Sequence, residues 1–260
     1  MAAGPLIEIR DLRKRYTVLH NRPYSFKDAM VRKLTRRTVE RETFWALKGV
    51  SLTVQPGDTV GIIGPNGSGK STMLGIIARI LRPTEGSVEV RGRVSVLMEA
   101  GVGFHEDLTG IENIYLSGAL LGLTRREIAA RVDSIVEFAD LHGFADTPVR
   151  MLSSGMYVRL GFAVAVHLEP EILLVDEVLA VGDEEFHHKC RQRLREFCRG
   201  GGAVVFVSHR MPEVKWLCER TMWLENGLVH REGPTPEVVA AYVAAHQPDV
   251  PDWDIEEPLA

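Results

Sequence analysis

An α/β fold built around a phosphate-binding loop is predicted by three stretches of the sequence. Val60-Gly61-Ile62-Ile63 leads into Gly64-Pro65-Asn66-Gly67-Ser68-Gly69-Lys70-Ser71-Thr72, and an apolar run at helical spacing, residues 73–81, leads out. That is strand, tight loop, helix. Ile172-Leu173-Leu174-Val175 and Val204-Val205-Phe206-Val207 are the other two. Both are continuously apolar instead of alternating, as strands buried on both faces of a parallel sheet are. They end in Asp176-Glu177 and Ser208-His209, at the carboxyl ends of strands, where open α/β sheets hold their chemistry.

The loop fits the pattern G-x-x-x-x-G-K-[ST] at Gly64, Gly69, Lys70 and Ser71. Glycines let the backbone approach an anion without a Cβ in the way. Successive N–H groups then form a nest at the positive end of the next helix. Lys70 can reach β- and γ-phosphates, and the Ser71 hydroxyl can ligate magnesium. A nucleoside triphosphate is the expected ligand. An ordinary Gly-rich turn would not need Lys-Ser at its end.

Composition sets the outer bounds. The 260 residues, 45% apolar and 25% charged, suit a globular domain with a substantial core. A net charge of −4 supplies no reason to expect nucleic acid. No apolar stretch approaches a membrane span, and the amino terminus lacks signal-peptide character. Three cysteines, Cys190, Cys198 and Cys218, form no C-x-x-C, so free thiols in a reducing cytosol are expected.

Along the chain, Leu6-Ile7-Glu8-Ile9-Arg10 alternates as a half-buried strand, and residues 12–18 read as a second. Tyr16 closes that stretch; stacking on a nucleobase and an ordinary core or surface place are both open to it. Residues 22–41 carry seven bases against Asp28 and Glu40, with Phe26, Met30 and Leu34 on one helical face. A short basic amphipathic helix is expected there, facing a membrane surface or partner, or packed on its own domain. Residues 44–54 alternate as a strand, and residues 87–91 and 93–98 are two more. Glu99 opens a glycine-spaced loop over residues 99–105.

Residues 110–169 read as helical. Thr109 with Glu112 and Thr124 with Glu127 are capping-box patterns. Ser153 or Ser154 is a natural N-cap for an apolar helix over residues 157–168, and two hydroxyls with Gly155 at a helix start also make an anion site. Asp176 can hold magnesium, and Glu177 can orient or deprotonate water for attack on the γ-phosphate; a structural ion pair is the plainer alternative. His209 can donate a hydrogen bond to the γ-phosphate. Residues 222–231 form a hairpin turning at Asn226-Gly227, and Thr235 caps a last helix. The tail from His246 holds five acids and no base among prolines, and disorder is expected.

Five stretches now stand in a recognisable order: residues 64–72, Leu152-Ser153-Ser154-Gly155-Met156, residues 172–177, Gly182-Asp183 and Ser208-His209. The chain resembles the ATP-binding subunit of an ABC transporter over about residues 6–245. The resemblance implies a P-loop NTPase core of ABC type with an antiparallel β subdomain and a helical subdomain at about 105–168. It implies ATP and Mg2+ as ligands, with Gly64, Pro65, Asn66, Gly67, Ser68, Gly69, Lys70, Ser71 and Thr72 around the phosphates. Ser153, Ser154 and Gly155 match the signature that caps ATP held by a second subunit, so a head-to-tail homodimer is implied. Asp176 matches the magnesium aspartate, Glu177 the catalytic base, Asp183 the acid that communicates across the dimer, His209 the switch histidine and Tyr16 the adenine-stacking aromatic; Trp45 competes for that last role.

Within the family, the insertion at 19–43, the Met98–Phe104 stretch, the Ser-Ser-Gly-Met signature and Leu179-Ala180-Val181-Gly182-Asp183 look like the polysaccharide-exporter branch. That branch exports lipid-linked glycans such as O-antigen or teichoic acid through a separate permease. An integral-membrane permease dimer is therefore the implied partner, with residues 22–41 near the membrane or the glycan and the protein peripheral on the cytoplasmic side. Glu99 stands where the family commonly has glutamine and is a further magnesium candidate. An importer subunit, or a soluble ABC ATPase of repair or translation, is the competing reading. No coiled coil and no second ATPase half is visible.

Overall fold

A computed structural model describes residues 4–20, 40–98, 104–176 and 184–246. The expected amphipathic helix at 22–41 lies outside these residues, as does the tail expected from His246, except that His246 itself is the last residue of the final helix.

Three strands, β1 (Ile7–His20), β2 (Glu40–Val54) and β4 (Glu85–Val90), form an antiparallel sheet in the order β2-β1-β4. The two strands expected at the amino terminus are therefore one. Asp11 takes a left-handed φ of 45°, and the pairing slips by one residue between Ile9 and Leu12. This bulge keeps the inward face apolar: Ile7, Ile9 and then Leu12 are all buried, which strict alternation would not allow.

The larger sheet has the order β5-β6-β7-β3-β8-β9, with β3 (Thr59–Ile63), β5 (Val94–Met98), β6 (Ile172–Asp176), β7 (Ala203–Val207), β8 (Arg220–Glu225) and β9 (Leu228–Pro234). It is parallel throughout except at the β8–β9 edge. Its inner strands are covered on both faces, which explains their unbroken apolar sequences. Ile62, Leu174 and Val205 share a core with Ile9 and Leu47 of the antiparallel sheet and Met73 and Leu74 of α1 (Lys70–Ile77). Their neighbours Ile63, Val175 and Phe206 point the other way. There they meet α5 (Glu184–Arg199), α6 (Met211–Leu217) and α7 (Thr235–His246). Each such side chain contributes roughly 1.5–3 kcal/mol on leaving water.

Helix α1 is shorter than its apolar run. Arg79 turns left-handed at φ 62°, and the amides of Ile80 and Leu81 both return to the Gly75 carbonyl at 2.9 Å, closing the helix C-terminus. The third core belongs to α2 (Gly110–Leu120), α3 (Arg125–Phe138) and α4 (Ser154–His167), around Ile114, Ile128, Ile135 and Leu160. Both expected capping boxes are present, at Thr109–Glu112 and Thr124–Glu127. The apolar helix begins three residues earlier than its periodicity suggests, because Ser153 caps it by accepting from the Met156 amide at 3.2 Å.

The three cysteines are free thiols, and burial pushes Cys190 up to about 12 and Cys198 up to about 11. No helix among the described residues is long and apolar enough to cross a membrane.

Candidate functional site

The phosphate loop is shaped by close backbone packing. A Cβ on Gly64 would lie 2.0 Å from the Leu224 carbonyl oxygen, and one on Gly69 2.6 Å from that of Ala46. Gly69 also holds φ 108°, which disfavours any side chain. The β8–β9 turn supports the loop from below. Its residues Asn226 (φ 51°) and Gly227 (φ 80°) have the left-handed pair of a two-residue hairpin turn. The Gly227 amide donates to the Ser68 carbonyl at 3.1 Å, and the Gly227 carbonyl accepts from Lys48 N–H at 2.8 Å.

Inside the loop, Lys70 is 8% exposed, and its ammonium donates to the Gly64 and Pro65 carbonyls at 2.8 and 3.0 Å. The Ser68 hydroxyl is buried without a hydrogen-bond partner among the described residues. Helix α1 starts with no side-chain cap and no acid in its first turn. Its first amides and the Lys70 cation thus gather positive charge at the loop, as an anion-binding helix start does.

A cleft of about 420 Å³ opens over this loop. Asn66, Gly67, Gly69, Lys70, Ser71 and Thr72 form its floor, Asp176 and Val207 one wall, and Tyr16, Phe44 and Ala46 the other. Sheet order brings Asp176 in: it pairs with Val207, which in turn pairs with Ile62. Three sequence-distant strand ends thus meet at one point. The opposite wall is set by β1–β2 register. Tyr16 faces Phe44, ring centroids 5.7 Å apart and planes 29° from parallel, while Trp45 faces Arg15 on the other side of the ribbon and does not border the cleft.

Gly64, Pro65 and Ser68 shape the loop without bordering the cleft. His209 is exposed two residues beyond β7 and also lies off its lining. Its turn is built by the Arg210 amide donating to Ser208 Oγ at 3.0 Å and by an Arg210–Glu213 ion pair at 2.5 Å. Burial raises the Glu213 carboxyl above its usual range, against the pull of Arg210 and the Ser208 hydroxyl. Ser153 and Ser154 are exposed at the start of α4 with Gly155 beside them, away from the cleft. Glu99, Glu177 and Asp183 lie outside the described residues.

Phe44 and the Asn226-Gly227 support were not visible as site residues in the sequence. Phe44 reads there only as the start of an alternating strand, and the bulge that brings it to Tyr16 leaves no local signal.

Oxygen donors from Ser71 and Asp176, beside a buried lysine, match what a hard divalent cation on a phosphate chain requires. The residues present fit magnesium and a nucleoside triphosphate.

Fold and loop together define a P-loop nucleotide-binding ATPase. The family model for ABC transporters matches residues 47–180. The chain is 42% identical to the O-antigen export system ATP-binding protein RfbB of Klebsiella pneumoniae, across 93% of this chain and 98% of that protein. It is 48% identical to the teichoic acids export ATP-binding protein TagH of Levilactobacillus brevis across 76% of this chain, but spans only 55% of that protein's length. It likewise spans about half, 52%, of the Myxococcus xanthus RfbB. Among solved structures, the dimeric post-hydrolysis state of the ATP-binding cassette MJ0796 bound to ADP and Pi aligns with a TM-score of 0.69 at 26% identity, covering 88% of this chain and 98% of that one. The chain belongs to the ABC transporter family and is an ATP-hydrolysing subunit of that type.

Proposed function

We propose that this chain powers the export of a lipid-linked polysaccharide through a separate membrane permease. The observation that carries the reading is the near end-to-end match to the Klebsiella O-antigen export ATP-binding protein, at 98% of its length. The teichoic acid export relative supports the same substrate class. The protein then sits at the cytoplasmic side of the membrane, held there by a permease dimer, with residues 22–41 facing the membrane surface or the glycan. On this reading residues 1–245 are the ATPase domain.

ATP is bound with its phosphates on the loop amides, Lys70 neutralising β- and γ-oxygens and Tyr16 stacking on adenine. Ser71 and Asp176, with Glu99 as a further candidate, would hold magnesium, which supplies positive charge at the phosphates when bound. Glu177 takes a proton from water as its oxygen attacks the γ-phosphorus. The bond from that phosphorus to the bridging oxygen breaks, and ADP and phosphate leave. His209 donates a hydrogen bond to the γ-phosphoryl oxygens. Ser153, Ser154 and Gly155 cover the γ-phosphate bound by a second copy in a head-to-tail homodimer, and Asp183 senses the partner. The MJ0796 cassette, a dimer bound to ADP and Pi, supports this arrangement.

Glu177→Gln tests the chemistry: the variant should bind ATP, cease turnover and accumulate as a dimer in size-exclusion chromatography. Full hydrolysis by it overturns the assignment. Loss of this chain from its host tests the substrate: surface glycan should disappear while lipid-linked precursor accumulates inside, and an unchanged surface glycan would overturn that class. Deleting residues 22–41 tests that segment alone: export should fail with ATP hydrolysis retained, and unimpaired export would remove its proposed role at the membrane or glycan.

A further inference from the structure

Helices α5 and α6 carry a basic surface that the nucleotide chemistry does not use, and the sequence beyond His246 has the opposite charge. On α5, Arg191, Arg195 and Arg199 recur every fourth residue, so they lie along one side of the helix, and all three are exposed. Two of them gather on one ring. The Arg191 and Arg195 guanidinium carbons lie 5.0 and 5.2 Å from the ring centroid of Trp216, a half-buried residue of α6. Two cations over one ring repel each other, and an anion placed between them relieves that cost. Nearby acids are engaged elsewhere: Glu185 with Lys189 at 3.2 Å, Glu196 with Arg193 at 3.5 Å and Glu213 with Arg210 at 2.5 Å. The cleft bordered by Arg191, Glu213 and Trp216 has a volume of about 30 Å³, room for a water and far short of a metabolite. The surface fits an acidic segment lying across it, not a small molecule.

Residues 247–260 contain Asp249, Asp252, Asp254, Glu256 and Glu257, no lysine or arginine, and Trp253 between two of the acids. The point from which this segment starts is fixed. Helix α7 begins where α6 ends, its Thr235 amide donating to the Glu219 carbonyl at 3.0 Å. It finishes at His246, whose ring stacks on Tyr242 with centroids 4.6 Å apart. Val214 and Leu217 of α6 share a core with Val238 and Val239 of α7, and Trp216 packs against that core. Neighbouring helices lie about 8–10 Å apart. The seven residues from His246 to Trp253 span up to about 23 Å when extended, enough to cross α6 and reach the two arginines. So short a tether gives an effective concentration on the order of millimolar, at which individually weak surface charge pairs suffice.

We propose that residues 249–257 dock onto the α5–α6 surface of their own chain, with Asp252 and Asp254 on Arg191 and Arg195 and the Trp253 ring beside Trp216. Helix α5 follows Gly182-Asp183 and α6 follows Ser208-His209, so the docked segment ties together the two helices that continue from those site loops.

Photo-crosslinking of the full chain tests this, with benzoylphenylalanine in place of Trp253 and crosslinked peptides mapped by mass spectrometry. Crosslinks should join that position to α5 or α6 of the same chain, in a yield independent of protein concentration. Arg191→Glu with Arg195→Glu should lower the yield about fivefold, the scale of two lost surface charge pairs. Adding Asp252→Arg and Asp254→Arg to that protein should restore it, which damage to the fold would not allow. The proposal is overturned if the crosslinks map elsewhere in the chain or form only between two copies. It is equally overturned if charge reversal leaves the yield unchanged, or if the reciprocal reversal fails to restore it.

Discussion

Two serine- and glycine-bearing turns open helices in this molecule, and they are built in opposite ways. The phosphate loop before α1 is enclosed by the chain's own backbone, with Leu224 and Ala46 carbonyls where side chains on Gly64 and Gly69 would go. The turn before α4 is exposed, and a Cβ on Gly155 would meet nothing closer than Ser153 Oγ at 4.0 Å. Helix α1 has no side-chain cap, whereas α4 is partly capped by its own Ser153. The first turn is thus shaped by the chain's own packing into an anion-binding form. The second contains a glycine that nothing among the described residues demands. The proposed second copy would supply such a demand from outside the chain.

The contrast can be broken at its strongest point first. Gly64→Ala should cost several kcal/mol of stability, because the obstacle is a backbone carbonyl that cannot move aside. Lys70→Ala should leave the melting temperature near that of the unaltered protein and lower kcat by about 100-fold or more, measured by phosphate release. Gly155→Asp should likewise fold normally yet lose hydrolysis. Mixing the Lys70→Ala and Gly155→Asp proteins then sharpens the comparison. Each mixed dimer carries one site with both defects and one with neither, so roughly a quarter of native turnover should return. A dead mixture, or a Gly155→Asp protein that unfolds, would place the signature glycine within the chain's own architecture.

Smaller effects probe the supports around the two turns. Thr124→Ala removes the cap of α3, in the helical unit that carries the exposed turn, and should cost about 1 kcal/mol in urea unfolding. At the β7 end, burial raises the Glu213 carboxyl in the folded state. A raised folded pKa contributes stability below the unfolded carboxylate range and loses it as pH rises through the folded value. Glu213→Gln should flatten the melting temperature over that interval, a shift of a degree or two at most. An unchanged pH profile would show that the Arg210 partnership outweighs burial.

Much of the site was legible because its parts are local. Residues 64–72 carry loop, lysine and hydroxyl in one stretch, and unbroken apolar runs announce strands buried on both faces. Both capping boxes were readable for the same reason, since cap and reciprocal acid stand three residues apart. The bulge at Asp11 and the end of α1 at Arg79 were not readable. Each answers a packing demand, the inward turn of Leu12 and the return of Leu81 onto Gly75, made by residues that the local pattern does not couple.

By itself, the sequence determined the kind of chemistry: an anion cradle, a buried parallel sheet, and acids or histidine at strand ends. Those follow from short-range rules of backbone freedom and burial. Tertiary structure alone decided that Asp176 reaches the loop through two neighbouring strands, that Phe44 and not Trp45 stands beside Tyr16, and that a distant hairpin turn holds Ser68. These depend on strand order and register, and a one-residue slip between strands far apart in sequence exchanges one face for the other without changing the pattern of either.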